Sequence, residues 1–218
     1  MKNSILLLSG GLDSAANLAL ASECKRPLLA LTVNYGQRAA IREIESAQKL
    51  CHFYQVQHQV IHIPWLGAIG GSSLTDSSQR VPGIEKDQLD DRATTETTAK
   101  AVWVPNRNGV FIHIAAALAD RQGAEQVLVG FNAEEAATFP DNSIDYLRAV
   151  NQALYYSTAN HVQVFSYTVE WNKNRIVAEL KKLKTRFPFE LIWSCYEGRE
   201  QACQNCESCQ RLARALSH

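Results

Sequence analysis

With 218 residues, 46% of them hydrophobic and 20% charged, the chain has enough material for one well-packed α/β domain but is cramped for two. Its 22 basic residues are balanced by 22 acidic ones, which argues against non-specific nucleic-acid binding and for a small-molecule substrate. No stretch approaches the roughly eighteen apolar residues of a membrane span, and the N-terminus carries no cleavable signal pattern, so a cytoplasmic protein with no membrane partner is expected.

Residues 5–8, Ile-Leu-Leu-Leu, read as a buried parallel strand, and residues 15–21 as the first turns of a helix. Between them stands Ser9-Gly10-Gly11-Leu12-Asp13-Ser14. Two adjacent glycines allow a sharp turn and leave no Cβ between a ligand and the backbone amides. Ser14 offers a hydroxyl where free N–H groups and the helix dipole favour an anion. The string is therefore a phosphate cradle, although the lysine of the common Gly-x-x-x-x-Gly-Lys-Ser/Thr loop is missing.

A second buried strand is expected over 27–33, ended by Asn34-Tyr35-Gly36-Gln37. Strand, helix, strand in that order implies a right-handed parallel crossover, which places this turn beside the first loop at the carboxyl ends of the strands. Adenine or ribose could contact it there. A helix over 39–50 and a strand over 56–62 follow. His58 and His62 share one face of that strand with no local carboxylate or cysteine, so they read as packing or surface residues. Cys24 and Cys51, in apolar surroundings, read as small buried hydrophobes.

From 64 to 101 the periodicity collapses into glycines, serines and threonines, with Thr94 to Thr98 continuing the irregular composition. A connection of this length is expected to act as a lid over the nucleotide, with a dimer-contact arm or a disordered segment as alternatives. Val102-Trp103-Val104 is expected to be a short strand stopped by Pro105, with Asn108 as N-cap of a helix over 109–122. Arg107, beside that N-terminus, reads as a phosphate or carboxylate ligand. Strand 126–130 delivers an acidic and amide-rich pair of turns containing Asn132, Glu134, Glu135 and Asp141, suited to a purine-like edge with several donors. Asp141 could equally cap the helix expected over 144–157. After a strand over 162–168, Lys173 opens a helix, an unfavourable place for a cation unless an anion is present. It reads either as a solvated lysine or as a phosphate contact.

Cys195, Cys203, Cys206 and Cys209 form C-x7-C-x2-C-x2-C. Crowded thiols in a cytosolic chain read as a metal site, and four thiolates are the ligand set of a closed structural zinc. An iron–sulfur run would continue to another cysteine followed by proline, whereas Gln210-Arg211-Leu212-Ala213 continues a helix. Trp193 to Gly198 could still reach a substrate.

The string at 9–14 resembles the PP-loop of ATP pyrophosphatases, which cleave ATP between the α and β phosphates. The loop, Asn34-Tyr35-Gly36-Gln37, Val104-Pro105-Asn106-Arg107-Asn108, Gly130-Phe131-Asn132, Phe139-Pro140-Asp141 and Trp193-Ser194-Cys195-Tyr196 appear in that order. As an ordered set they resemble the 7-cyano-7-deazaguanine synthase family over nearly the whole chain. The resemblance implies an open parallel sheet with helices on both faces, of the adenine nucleotide alpha hydrolase type. Residues 1–190 would form the nucleotide-binding unit with its lid at 64–101, and residues 191–218 a zinc-binding segment packed on it. It also implies an ATP-dependent carbon–nitrogen ligase that converts 7-carboxy-7-deazaguanine and ammonia to the nitrile, a homodimer with one Zn²⁺ per subunit.

By the same resemblance Ser9, Gly10, Gly11, Leu12, Asp13 and Ser14 bind the ATP phosphates, with Asp13 near Mg²⁺. Tyr35 and Gln37 lie beside the nucleotide. Arg107, Asn108, Asn132 and Asp141 contact the substrate, and Lys173 meets developing phosphate charge, with Asp13, Arg107 and Lys173 as the catalytic set. Many family members have glycine where Asn106 stands and arginine where Ser143 stands, and the first cysteine spacing is one longer in many of them. The missing arginine removes one expected substrate contact. A tRNA-thiolating PP-loop enzyme would need a free nucleophilic cysteine and a basic surface. A zinc-ribbon binding module would not need an intact string at 9–14.

Overall fold

A computed structural model describes residues 2–217. The elements run β1 (Ser4–Leu7), α1 (Leu12–Cys24), β2 (Leu29–Asn34), α2 (Ala40–Tyr54), β3 (His58–His62), α3 (Pro64–Ala68), α4 (Arg92–Val102) and α5 (Arg107–Gln122). They continue with β4 (Gln126–Leu128), α6 (Ala133–Ala136), α7 (Ile144–Ser157), β5 (Gln163–Phe165), α8 (Lys173–Leu180) and α9 (Glu207–Leu216). All pairings in the sheet are parallel, in the order β3-β2-β1-β4-β5. The chain moves outward from β1 to β3, then restarts on the other side of β1. The β1/β4 crevice is therefore the switch point at which open α/β sheets hold ligands.

Strand alternation sends Leu6 and Leu8 to one face, where they pack with residues of α1, α2 and α8 and with Phe187 and Ala215. Ile5 goes to the other face, with Leu31, Val127 and residues of α5 and α7. Helices cover both faces, which explains why the inner strands β1 and β2 read as continuous apolar runs, while the edge strands β3 and β5 do not.

Several local expectations need correction. Residues 64–101 are not structureless. Leu66, Leu74, Ile84 and Leu89 are buried, Gly83 forms a bridge with Cys206, and the N–H of Ile84 donates to Asn205 O at 3.0 Å. Thr94 to Thr98 lie inside α4, whose N-cap Asp91 accepts from the N–H of Thr94 at 2.9 Å. Its buried positions are Thr95, Thr98, Ala99 and Val102. That spacing is helical, but threonines occupy half of it. Val102 closes α4, so no strand forms over 102–104. The N-cap of α5 is Asn106 at φ 52°, and Asn108 falls in the first turn. Asparagine is among the few side chains that enter the left-handed region, which accounts for its standing at a position where glycine also serves. Ser143 rather than Asp141 caps α7, accepting from the N–H of Tyr146 at 3.1 Å. Cys51 is buried as expected, but Cys24 is exposed at the end of α1. His58 is half-buried and shares a 2.8 Å hydrogen bond with the Thr32 hydroxyl.

Candidate active site

The loop after β1 is shaped by its own serines. The Ser14 hydroxyl donates to Gly11 O at 3.1 Å and accepts from the N–H of Ser9 at 3.2 Å. Gly10 has φ +83°, and a Cβ there would meet Ser46 Oγ at 2.6 Å. Gly11 is the N-cap of α1 and offers no side-chain acceptor, so first-turn N–H groups are left for an anion. Gly130, just past β4, approaches so closely that a Cβ would lie 2.4 Å from Ser14 N. The switch-point crevice is thus a cradle lined by Ser9, Gly11, Leu12, Asp13 and Ser14. Gly10 supports it from behind: its carbonyl accepts from the N–H of Trp193 at 2.9 Å and from the Ser46 hydroxyl at 3.0 Å.

Asp13, in the first turn of α1, faces two groups delivered from the far side of the crevice. Lys173 is the first residue of α8, and its Nζ donates to Asp13 Oδ2 at 2.6 Å and Glu135 Oε1 at 2.8 Å. The anion that a lysine at a helix start requires is here supplied by these two carboxylates. Glu135 is oriented by α6, capped by Asn132, whose Oδ1 accepts from the N–H of Glu135 at 2.9 Å. One ammonium cannot fully serve two partly buried carboxylates. Burial pushes Asp13 up to about 6 against the pull of Lys173. For Glu135 burial also opposes the charge, but Lys173 prevails and its carboxyl lies below the usual range. Lys173 is held charged by the pair despite its own burial. Asp13 Oδ1 is buried with no hydrogen-bond partner. A bare carboxylate oxygen beside a second carboxylate and a phosphate cradle fits a Mg²⁺ ligand set.

The opposite wall carries Arg107, at the start of α5, whose Nη1 donates to the Tyr35 hydroxyl at 3.4 Å. Burial works against its charge, but Tyr35 and Asp141 nearby keep it firmly protonated. Burial also raises Glu43, opposed by its hydrogen bond from Gln37 and by Arg107. Gln37 itself ties the turn together. Its Oε1 accepts from the N–H of Tyr35 at 2.9 Å, while its Nε2 donates to Val33 O at 3.2 Å and to Glu43 Oε2 at 2.9 Å.

Tyr35, Arg107, Asn108 and Lys173 all border the cleft with the loop residues. Gln37, Asn132 and Asp141 do not. Gln37 and Asn132 are buried supports, and Asp141 is close enough to Arg107 for the guanidinium to oppose the burial that raises its pKa. Glu135 and Tyr196, which lie in segments the sequence pointed to, border the cleft, as do Glu43, Phe111, Phe139 and Asn142, to which it assigned no role. Glu135 was visible in the acidic turn. Glu43 carries no motif, because its place depends on how α2 meets the turn at Gln37.

Cys195, Cys203, Cys206 and Cys209 bring their Sγ atoms within 4.8 Å of one another. A tetrahedral set at the usual zinc–sulfur distance of about 2.3 Å would draw the sulfurs to about 3.8 Å apart, and Cys203 and Cys209 already stand at 3.9 Å. Backbone N–H groups of Glu197 and Cys203 point at Cys195 Sγ at 3.4 and 3.3 Å, and that of Cys206 points at Cys203 Sγ at 3.3 Å. Such donors suit thiolate ligands. The cluster can hold a metal, and four protein ligands leave it no open position. Trp193, Ser194 and Tyr196, around Cys195, form part of the cleft wall.

The family model described as "Queuosine biosynthesis protein QueC" matches residues 3–218. A 7-cyano-7-deazaguanine synthase from Desulforamulus reducens is 50% identical over 214 residues, covering 98% of this chain and 93% of that protein. One from Methanosarcina mazei is 46% identical over 217 residues, covering 98% and 93%. Among solved structures, an NMN synthetase from Francisella tularensis aligns with a TM-score of 0.49 at 16% identity, over 93% of this chain and 71% of that one.

Proposed function

The chain belongs to the family of the queuosine biosynthesis protein QueC, and from that premise we propose that it converts 7-carboxy-7-deazaguanine and ammonia to 7-cyano-7-deazaguanine at the expense of ATP. The observation that carries the reading is the switch-point cradle at Ser9–Ser14 facing Asp13, Glu135 and Lys173 on one side and a half-buried Arg107 on the other. A phosphate site next to a fixed cation is what joining a carboxylate to a nucleotide requires.

The chemistry balances as two activations. A carboxylate oxygen attacks the α-phosphorus of ATP and pyrophosphate leaves, giving an acyl adenylate. Ammonia adds to the carbonyl carbon, AMP departs with the former carboxylate oxygen, and a proton is released to leave the amide. The amide oxygen then attacks the α-phosphorus of a second ATP, and a second pyrophosphate leaves. Loss of the nitrogen-bound protons and of the second AMP forms the carbon–nitrogen triple bond. In this scheme the N–H groups of α1 and the Ser9 and Ser14 hydroxyls hold the phosphates. Lys173 exchanges part of its pairing with Asp13 for phosphate oxygens, and Arg107 with Asn108 orients the substrate acid. Asn132 and Asp141 act from beneath. Asp13 and Glu135 would hold Mg²⁺, which when bound neutralises phosphate charge. Tyr35, held by Gln37, flanks the nucleotide.

The same reading puts Zn²⁺ in the thiol cluster, which needs reduced cysteines and so suits the cytoplasm, with the enzyme acting as a homodimer. Leu74 and Val102 border the cleft, and residues 64–101 are read as its cover. Purified protein incubated with ATP, Mg²⁺, ammonium and 7-carboxy-7-deazaguanine is expected to yield the nitrile by mass, only when ATP and ammonium are both present. Neither amide nor nitrile appearing would overturn the reading.

A further inference from the structure

A metal site with no open position does no chemistry itself, so its use must lie in what it holds. Helix α9 begins at the Cys206 N-cap and includes Cys209. Just beyond, Arg211 turns inward and is 6% exposed. Its Nε donates to Glu207 Oε1 at 2.8 Å, its Nη2 to Leu89 O at 3.2 Å, and its Nη1 to Glu134 Oε1 at 2.5 Å. Arg214 adds a bond to the same Glu134 oxygen at 2.6 Å. The other oxygen of Glu134 accepts from the backbone N–H of Lys173 at 3.2 Å. One carboxylate therefore joins the thiol-tied helix to the first residue of α8.

Glu134 and Glu135 are neighbours on α6, which has 4 residues. So short a helix does not hold its own geometry. Whatever fixes Glu134 also fixes the direction of Glu135 toward Lys173 Nζ, and the Glu134–Lys173 backbone bond fixes where that lysine starts. As a stability device the cluster is a poor choice, since buried ion pairs roughly break even against apolar packing. As an alignment device it has a clear target.

We propose that Arg211 is a positioning residue for the nucleotide site: through Glu134 it sets the Asp13–Lys173–Glu135 triad, and so links the cysteine centre to binding of ATP. The inference rests on reading the cleft as an ATP site, but not on the identity of the acid.

The test is calorimetric titration of Mg²⁺–ATP into metal-loaded wild type, R211Q, E134Q, R211K and the R211Q/E134Q double variant, with metal content and Tm measured on each. R211Q and E134Q are each expected to weaken binding by about tenfold, and the double variant no further than the worse single, because both remove one link. R211K, which keeps the charge without the fork, recovers part of the loss, and metal content stays equal in all. Wild-type affinity in a folded, metal-loaded R211Q, or losses that add in the double variant, would overturn the proposal. Should R211Q not fold, E134Q alone decides, with unchanged affinity as the contradicting result. If wild type binds Mg²⁺–ATP but makes no nitrile, the functional reading fails and this inference stands.

Discussion

Asp13 keeps one carboxylate oxygen paired with Lys173 and the other buried and bare. A folded pKa of about 6, against an ordinary 3.8, has two consequences of opposite sign. Between those values the folded chain holds a proton that the unfolded chain has released. This group therefore favours folding at low pH and withdraws that support as pH rises through 6. Nucleotide binding runs the other way, because a protonated Asp13 neither pairs with Lys173 nor accepts a cation. Mg²⁺–ATP affinity is expected to fall as pH drops through about 6, and D13N to bind about a hundredfold more weakly with no step in that range. Titrations at a series of pH values check this, and a wild-type affinity flat from pH 7 to 5 would contradict it. At this scale the sequence was partly legible. The glycines, Ser14 and Arg107 announce themselves by type and spacing. Lys173 did not show which anion it needed, since Asp13 and Glu135 reach it from distant parts of the chain.

Among the elements, the long runs of apolar residues read correctly because burial on both sheet faces leaves no other place for them. Helix α4 did not, because Thr95 and Thr98 stand at buried helical positions and Asp91 caps it with no apolar signal nearby. Its place is set by tertiary partners: the Thr98 hydroxyl donates to Glu207 on the cysteine-bearing helix. The thiol segment, residues 83–84 and α4 thus form one interdependent layer. C206S is expected to lose its metal and to loosen this layer. A loss of only about 3 kcal/mol, a fraction of what structural zinc can contribute, would lower Tm by about 6–12 °C. Metal analysis and thermal unfolding measure both. A metal-free C206S with unchanged Tm would remove the structural role assigned to the cluster.

Across the whole molecule, the order β3-β2-β1-β4-β5 puts the loop after β1 and the turn after β4 in one crevice. The chain closes that crevice from behind with its last segment, where the N–H of Trp193 reaches Gly10 O. The first parallel crossover could be read in advance and the fold class followed from the family resemblance, but the strand order that brings the turn after β4 to the β1 loop could not. Nor could the division of labour within the crevice, because only packing shows that Gln37 and Asn132 are buried and do not border the cleft. The function proposed above has ATP opened at its α-phosphate, by an oxygen of the substrate acid and then by the oxygen of the amide. The direct measurement is turnover of 7-carboxy-7-deazaguanine labelled with ¹⁸O in both carboxylate oxygens, followed by mass analysis of every product. The account predicts an unlabelled nitrile and two AMP molecules per nitrile, each carrying one ¹⁸O. Label in inorganic phosphate, with ADP formed in place of AMP, would contradict it.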